Sequence, residues 1–344
     1  MQKQLADTKA LAENFSGLFL DLDGVCYLGE VPAPNAPEGL ERARALGLEF
    51  AFITNNSGRS PEVVANHLTR IGIPTNAETV VNSAMSTAHQ MRDYLPADAK
   101  VLCVGGEGLR KALGDAGFTV VFSADENPSA VAQGLSQDVG WVELSEACLA
   151  IKAGAKYFAT NIDATLPKER GEMIGNGSLV AAVRNATGVE PISSGKPNRY
   201  IYEFAGKYTG MTEALAVGDR LNTDIAGAVN GDIPSLHVLT GVNSARDVVL
   251  APASQRPTYL ALDLLDLSLP YPEIVTYQDG SVDVATAHAC VEDGQVLLDG
   301  LPVGEVVSLN QYRAIAATVW NFVGDAGTVG QSEALGLPNF TVVR

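Results

Sequence analysis

Asp21-Leu22-Asp23-Gly24-Val25 follows the apolar run Leu18-Phe19-Leu20. The run reads as a strand over residues 18–22, with one carboxylate at its carboxyl end and the next on the turn beyond. Buried together, two carboxylates repel unless a divalent cation neutralises them. Oxygen donors suit a hard ion, and Mg2+ commonly combines one or two carboxylates with a substrate phosphate. Taken alone, the pair could equally be a solvated turn. Two further apolar runs end in the same manner. Glu49–Thr54 (EFAFIT) stops at Asn55-Asn56-Ser57, and residues 214–219 (ALAVGD) stop at an aspartate. Helical stretches at 61–71 and 198–208 lie between such runs, the pattern of a parallel α/β sheet. Ligands of these sheets bind at the carboxyl ends of the strands, where Asp21, Thr54 and Asp219 fall.

Working outward, the stretch from about residue 79 to 190 has strands of its own at 101–105, 118–122 and 155–160. We expect an inserted α/β domain over residues 81–187, within a core made of 1–80 and 188–267. Residues 268–344 change character to a small α+β module. Asp-Gly pairs at 279–280, 293–294 and 299–300 separate alternating runs and predict hairpins. Ser308 and Gln311 form a capping box that opens a helix ending near Gly324. Its apolar face is expected at Ile315, Val319 and Phe322.

The chain has 344 residues and a net charge of −17. That balance repels phosphate backbones and anionic lipid, so neither nucleic acid nor a membrane is expected as a partner. No apolar run approaches the roughly 20 residues that span a bilayer, and the N-terminal segment has no apolar signal region. Cys26, Cys103, Cys148 and Cys290 are dispersed, without a C-x-x-C pair. We read them as reduced thiols of a cytoplasmic protein rather than zinc ligands. His67, His89, His237 and His288 have no partnered motif. Val104–Gly117 (VGGEGLRKALGDAG) departs from G-x-G-x-x-G and reads as a tight strand–helix turn.

Three more segments can carry chemistry. Thr54-Asn55-Asn56-Ser57 offers a hydroxyl and backbone N–H groups to an anion, or simply caps a helix. Lys196, in Ser193-Ser194-Gly195-Lys196-Pro197, is a lysine in a tight turn, or a surface charge. Asp219 and Asp224, in Gly218-Asp219-Arg220-Leu221-Asn222-Thr223-Asp224, could face one centre or open an acidic helix. Together and in this order the four segments supply a nucleophilic carboxylate, a hydroxyl anchor, a lysine and a distal acid pair. That set is the toolkit of phosphoryl transfer through an aspartyl-phosphate. Over residues 16–265 the sequence resembles the haloacid dehalogenase (HAD) superfamily of phosphatases. The 142 residues between Thr54 and Lys196 put the insertion between its second and third motifs. DLDGVCYLGE, FITNNSGRS, ATNIDATLP, GKPNRYIYEFA and VGDRLNTDIAGA resemble the NagD-like, p-nitrophenylphosphatase subfamily. Cys26 stands where Leu is usual and Gly58 where Ser is usual, which bears on packing and loop shape.

The resemblance implies a Rossmann-like parallel-sheet α/β core with a large α/β cap, and Mg2+ as cofactor. It implies Asp21 as nucleophile and Asp23 as acid and base, with Thr54, Asn55 and Asn56 on the phosphoryl oxygens. Lys196 would balance charge, while Asp21, Asp23, Asp219 and Asp224 form the metal site. Asn161 and Asp163 could line the entrance, or make only an Asx-turn. The expected partner is a small phosphorylated metabolite, with a homodimer left open. The tail resembles the acetyltransferase-like module of some actinobacterial glycerol-3-phosphate phosphatases, although it lacks an acyl-CoA loop. That tilts the substrate toward glycerol 3-phosphate over phosphoglycolate, pyridoxal phosphate or a nucleoside monophosphate. The rival reading is a non-catalytic binding protein on the same scaffold. The module, carrying no motif, is expected to be dispensable for chemistry.

Overall fold

Gly17–Leu20 is buried at every position and pairs in parallel with Ala214–Gly218. In the computed structural model, which describes residues 9–168 and 170–344, this pair belongs to the first of two compact units, residues 1–50 with 212–344. Ser235–Val238 and Tyr259–Ala261 continue the sheet, every pairing parallel. All four strands are buried along their length and, apart from Ser235 and His237, built of apolar or aromatic residues and glycine, as a sheet covered on both faces requires. Leu20 lies beside Val217, so the chain leaves these two neighbouring strands at Asp21 and Asp219. The parallel α/β class is the one expected.

The end of this unit is antiparallel. Ile274–Thr276, Val282–Val284, Ala287–Glu292, Gln295–Leu298 and Leu301–Pro302 form a five-stranded meander. The three Asp-Gly pairs lie in its connections. At 293–294 and 299–300 both residues take positive φ, as a type I′ turn demands. The helix Leu309–Val323 follows. Ser308 Oγ accepts the Gln311 N–H, Gln311 Oε1 accepts the Ser308 N–H, and Gly324 ends the helix at φ +70°. Ile315 and Val319 are fully buried, but Phe322 is 59% exposed, against expectation. The last turn instead directs Trp320 inward, its indole N–H donating to Val249 O at 3.0 Å. Two residues further on, Phe322 lies about 200° around the helix from it.

The apolar face of this helix covers more than its own hairpins. Val282, Val284 and Ala289 of the meander and Ile315, Ala316 and Val319 of the helix form one core with Leu221, Ile225, Val248, Val249 and Leu260.

The second unit is residues 51–211. The strand Glu49–Thr54, within which the division falls, pairs in parallel with Val80–Asn82. A separate five-stranded parallel sheet runs Ile192–Ser193, Lys156–Ala159, Ala130–Gln133, Lys100–Val104, Thr119–Val121. One apolar cluster joins it to the helices Ser83–Met91 and Glu107–Asp115, another to Trp141–Lys152 and Asn176–Thr187. Lys100–Val104 passes by a tight turn into Glu107–Asp115, as read from the sequence. All four cysteines are free thiols. Among the described residues no helix is long and apolar enough to cross a membrane.

Candidate active site

In the first unit the acids converge. Asp21 takes its place from the strand before it, its N–H donating to Val217 O at 2.9 Å. The chain then folds sharply, with the N–H groups of Val25, Cys26 and Tyr27 all donating to Leu22 O. Gly24, at φ +90°, makes this turn possible, and a Cβ there would collide with the Asp219 carboxylate. Cys26 Sγ donates to Asp21 O at 3.2 Å, so the unusual cysteine steadies the backbone of the first acid.

Asp219 is fully buried, its Oδ2 accepting the Val242 N–H at 2.6 Å. Asp224 is almost as deep, carried on the π-turn Leu221–Ile225, and its Oδ2 accepts the Arg220 N–H at 3.1 Å. Single π-turns are frequent at functional sites. Carboxylate oxygens of Asp21, Asp219 and Asp224 lie within 4.8 Å of one another. Three such charges, two of them out of water, are strongly repulsive without a counter-charge. Gly24 and Gly241 press against Asp219 so closely that neither tolerates a Cβ. An all-oxygen donor set in so tight a cradle fits a hard divalent cation. Asp23 is exposed at the rim, 3.4 Å from the Tyr27 hydroxyl.

Sequence reasoning missed two contributors here. His237 is fully buried, and burial pushes its imidazole down to about 4. It is therefore neutral near pH 7, and its Nε2 donates to Asp219 O at 3.0 Å, because a carbonyl can only accept. Its signal is topological, since His237 lies opposite Gly218 on the neighbouring strand. The other is residues 240–243. Thr240 Oγ1 donates to Gly24 O at 2.6 Å, and Asn243 Oδ1 accepts the Leu221 N–H at 2.9 Å. A motif search passes over such contacts because most of them use backbone groups.

In the second unit Asn55, Asn161, Asp163 and Lys196 form one hydrogen-bonded network, and Thr54 precedes its hub in the chain. Thr54 is buried, and its Oγ1 accepts the Asn56 N–H at 3.1 Å, which leaves its own proton to donate to an oxyanion. Asn56 turns its Oδ1 back onto the Gly58 N–H at 2.9 Å and so shapes the loop. Asn55 is the hub. Its Oδ1 accepts the Lys196 N–H at 2.8 Å, and its Nδ2 donates to Lys196 O at 2.9 Å and to Asp163 Oδ2 at 3.0 Å. Asn161 Nδ2 donates to Asn55 O at 2.7 Å, while its Oδ1 accepts the Asp163 N–H in an Asx-turn. Lys196 is 2% exposed, with Nζ donating to Ile53 O at 3.1 Å, and its bond to Pro197 is cis. An ammonium this deeply buried is no surface charge. Its natural complement is an anion.

Comparison with known proteins gives the family. The family model described as haloacid dehalogenase-like hydrolase matches residues 18–119, and a HAD-hydrolase-like model matches 193–267. A D-glycerol 3-phosphate phosphatase of Mycobacterium tuberculosis (strain ATCC 25618 / H37Rv) is 41% identical over 320 residues, 91% of this chain and 88% of the relative. An acid sugar phosphatase of Staphylococcus haemolyticus (strain JCSC1435) is 37% identical over 254 residues, 73% of this chain and 95% of its own length. A crystal structure of glycerol phosphate phosphatase from Mycobacterium tuberculosis in complex with magnesium aligns with a TM-score of 0.77 at 40% identity. It covers 91% of this chain and 92% of its own. With identity sustained along nine-tenths of its length, and both family models falling on the segments that bear the acids, the threonine and the lysine, the chain belongs to the haloacid dehalogenase-like hydrolases.

Proposed function

We propose that the chain is a Mg2+-dependent phosphomonoesterase acting on a small phosphate ester, glycerol 3-phosphate first among them. The observation that carries this reading is the cluster of Asp21, Asp219 and Asp224, a carboxylate set suited to a divalent cation. The substrate is drawn from the D-glycerol 3-phosphate phosphatase that matches 91% of this chain, a share too large to leave out the whole tail. Free thiols support a reducing, cytoplasmic setting, and residues 81–187 are read as the cap that selects the substrate. A homodimer remains an assembly to test by light scattering.

The roles are assigned residue by residue from the family motifs. Asp21 Oδ attacks phosphorus, forming an O–P bond as the ester P–O bond breaks. Asp23 gives a proton to the leaving alkoxide. It then takes one from the water that cleaves the aspartyl-phosphate, releasing inorganic phosphate and regenerating Asp21. Thr54 and Asn55 donate to the phosphoryl oxygens, and Lys196 offsets their charge. Asn161 and Asp163 hold Asn55 in register with Lys196. Asp21, Asp219, Asp224 and the backbone carbonyl of Asp23 would hold the ion. The chemistry that bound Mg2+ supplies is neutralisation of nucleophile and phosphoryl charge, so that two anions can approach.

The test is phosphate release from glycerol 3-phosphate, phosphoglycolate, pyridoxal phosphate and nucleoside monophosphates, each with Mg2+ and with EDTA. The expected result is EDTA-sensitive turnover with the highest kcat/KM for glycerol 3-phosphate. A different ester at the head of the ranking overturns the substrate. No EDTA-sensitive release from any of them favours a non-catalytic binding protein.

A further inference from the structure

The C-terminal module carries no catalytic group, yet it is tied to the acids by an unbroken set of contacts within the first unit. Residues 240–243 grip both acid-bearing turns. Val242 N–H donates to Asp219 Oδ2 at 2.6 Å and Asn243 N–H to Asp219 O at 3.2 Å. Asn243 Oδ1 accepts the Leu221 N–H at the start of the π-turn, and Thr240 Oγ1 holds Gly24 O. Gly241 lies so close to the Asp219 carboxylate that this loop fixes where the carboxylate can sit. The loop has no slack at its far end. Ser244 follows at once as N-cap of the short helix Ala245–Val249, its Oγ accepting the Asp247 N–H.

That short helix is held by the module. Arg246 Nε donates to Leu337 O at 2.9 Å, and Trp320 Nε1 donates to Val249 O at 3.0 Å. Ala245, Val248 and Val249 are buried in the core that contains Tyr312, Ile315, Val319, Leu335 and Leu337 of the module. Five residues of helix are too few to be stable by themselves, since helices shorter than about 12 residues are marginal without tertiary packing. The module supplies that packing.

We propose that the C-terminal module is a positioning element for the metal site. It sets the place of Asp219 through the Ala245–Val249 helix and residues 240–243. This rests on reading the acid cluster as a Mg2+ site. The module is therefore no dispensable accessory, contrary to what the absence of motifs in it suggests.

The test is calorimetric titration of Mg2+ into the full-length protein without substrate, comparing the parent with Trp320→Phe and with Trp320→Phe/Arg246→Met. Each change removes one hydrogen bond between the short helix and the module, from Trp320 to Val249 O or from Arg246 to Leu337 O, and keeps most of the apolar bulk. The double variant is expected to raise the Mg2+ Kd about tenfold, as loss of two ordinary hydrogen bonds would. Its kcat at saturating Mg2+ should stay within about twofold of the parent, because no group touching substrate changes. Ser308→Ala, which weakens the cap at the far end of the helix that carries Trp320 and leaves both hydrogen bonds to the module in place, is the control for instability alone and should leave Kd unmoved. An unchanged Kd in both donor variants overturns the proposal, as does an equal shift in the control. If the double variant fails to fold, Trp320→Phe alone decides by the same criterion. A parent protein that takes up no Mg2+ overturns the metal reading itself, a distinct result.

Discussion

Asp21→Asn keeps the size of the side chain but leaves an amide that cannot form an acyl-phosphate, so turnover of p-nitrophenyl phosphate should vanish. The far-ultraviolet circular dichroism should be retained. Asp23→Asn removes only the proton shuttle, whose loss typically costs 10²–10⁴-fold in rate, so a residual kcat in that range is expected. His237 leads to a pH effect. Burial holds its native imidazole down at about 4, whereas an unfolded histidine titrates at its ordinary value, 6.5. Below 6.5 the unfolded chain therefore binds a proton that the native chain refuses. The stability is fully present above 6.5 and is lost as the pH falls through about 4. Urea midpoints measured from pH 7.5 to 4.5 should fall with acid, and His237→Gln should flatten that slope.

Among the elements, the devices written in neighbouring residues are legible in the sequence itself. The strand ends at Asp21, Thr54 and Asp219, the Asp-Gly hairpins and the Ser308–Gln311 cap are all local chemistry, and each forms where the sequence puts it, although the first strand, expected to run to Leu22, stops at Leu20. Ser308→Ala should cost about 1 kcal/mol, the usual worth of such a cap. Thermal unfolding should show it as a lowered Tm with unchanged KM. What is not legible joins residues far apart in sequence. Asp163 and Asn55 are 108 positions apart, and either one reads alone as a turn residue. The grip of residues 240–243 on Asp219 is largely made with backbone N–H groups, which every sequence has. Helical spacing alone puts Phe322 on the buried face, and the inward turn of Trp320 displaces it.

At the scale of the whole molecule, 40 acids against 23 basic residues give a charge of −17, and the expected substrate is itself an anion. Long-range repulsion of this kind slows encounter and is screened within about 10 Å at 0.1 M salt. At saturating Mg2+, kcat/KM should rise with added KCl from low ionic strength while kcat stays constant. A fall in kcat/KM would mean that a local positive field dominates the approach.

The core shared by Leu221, Ile225, Val248 and Leu260 with Val282, Ile315 and Val319 bears on how the first unit comes apart. Tyr259–Ala261, through Leu260, and Val282–Val284 both put side chains into this one apolar mass. Proton exchange with heavy water should therefore release both strands in the same opening event and at the same denaturant concentration. A tail added to an older enzyme would be expected to fray first. This one should be among the last segments to let go.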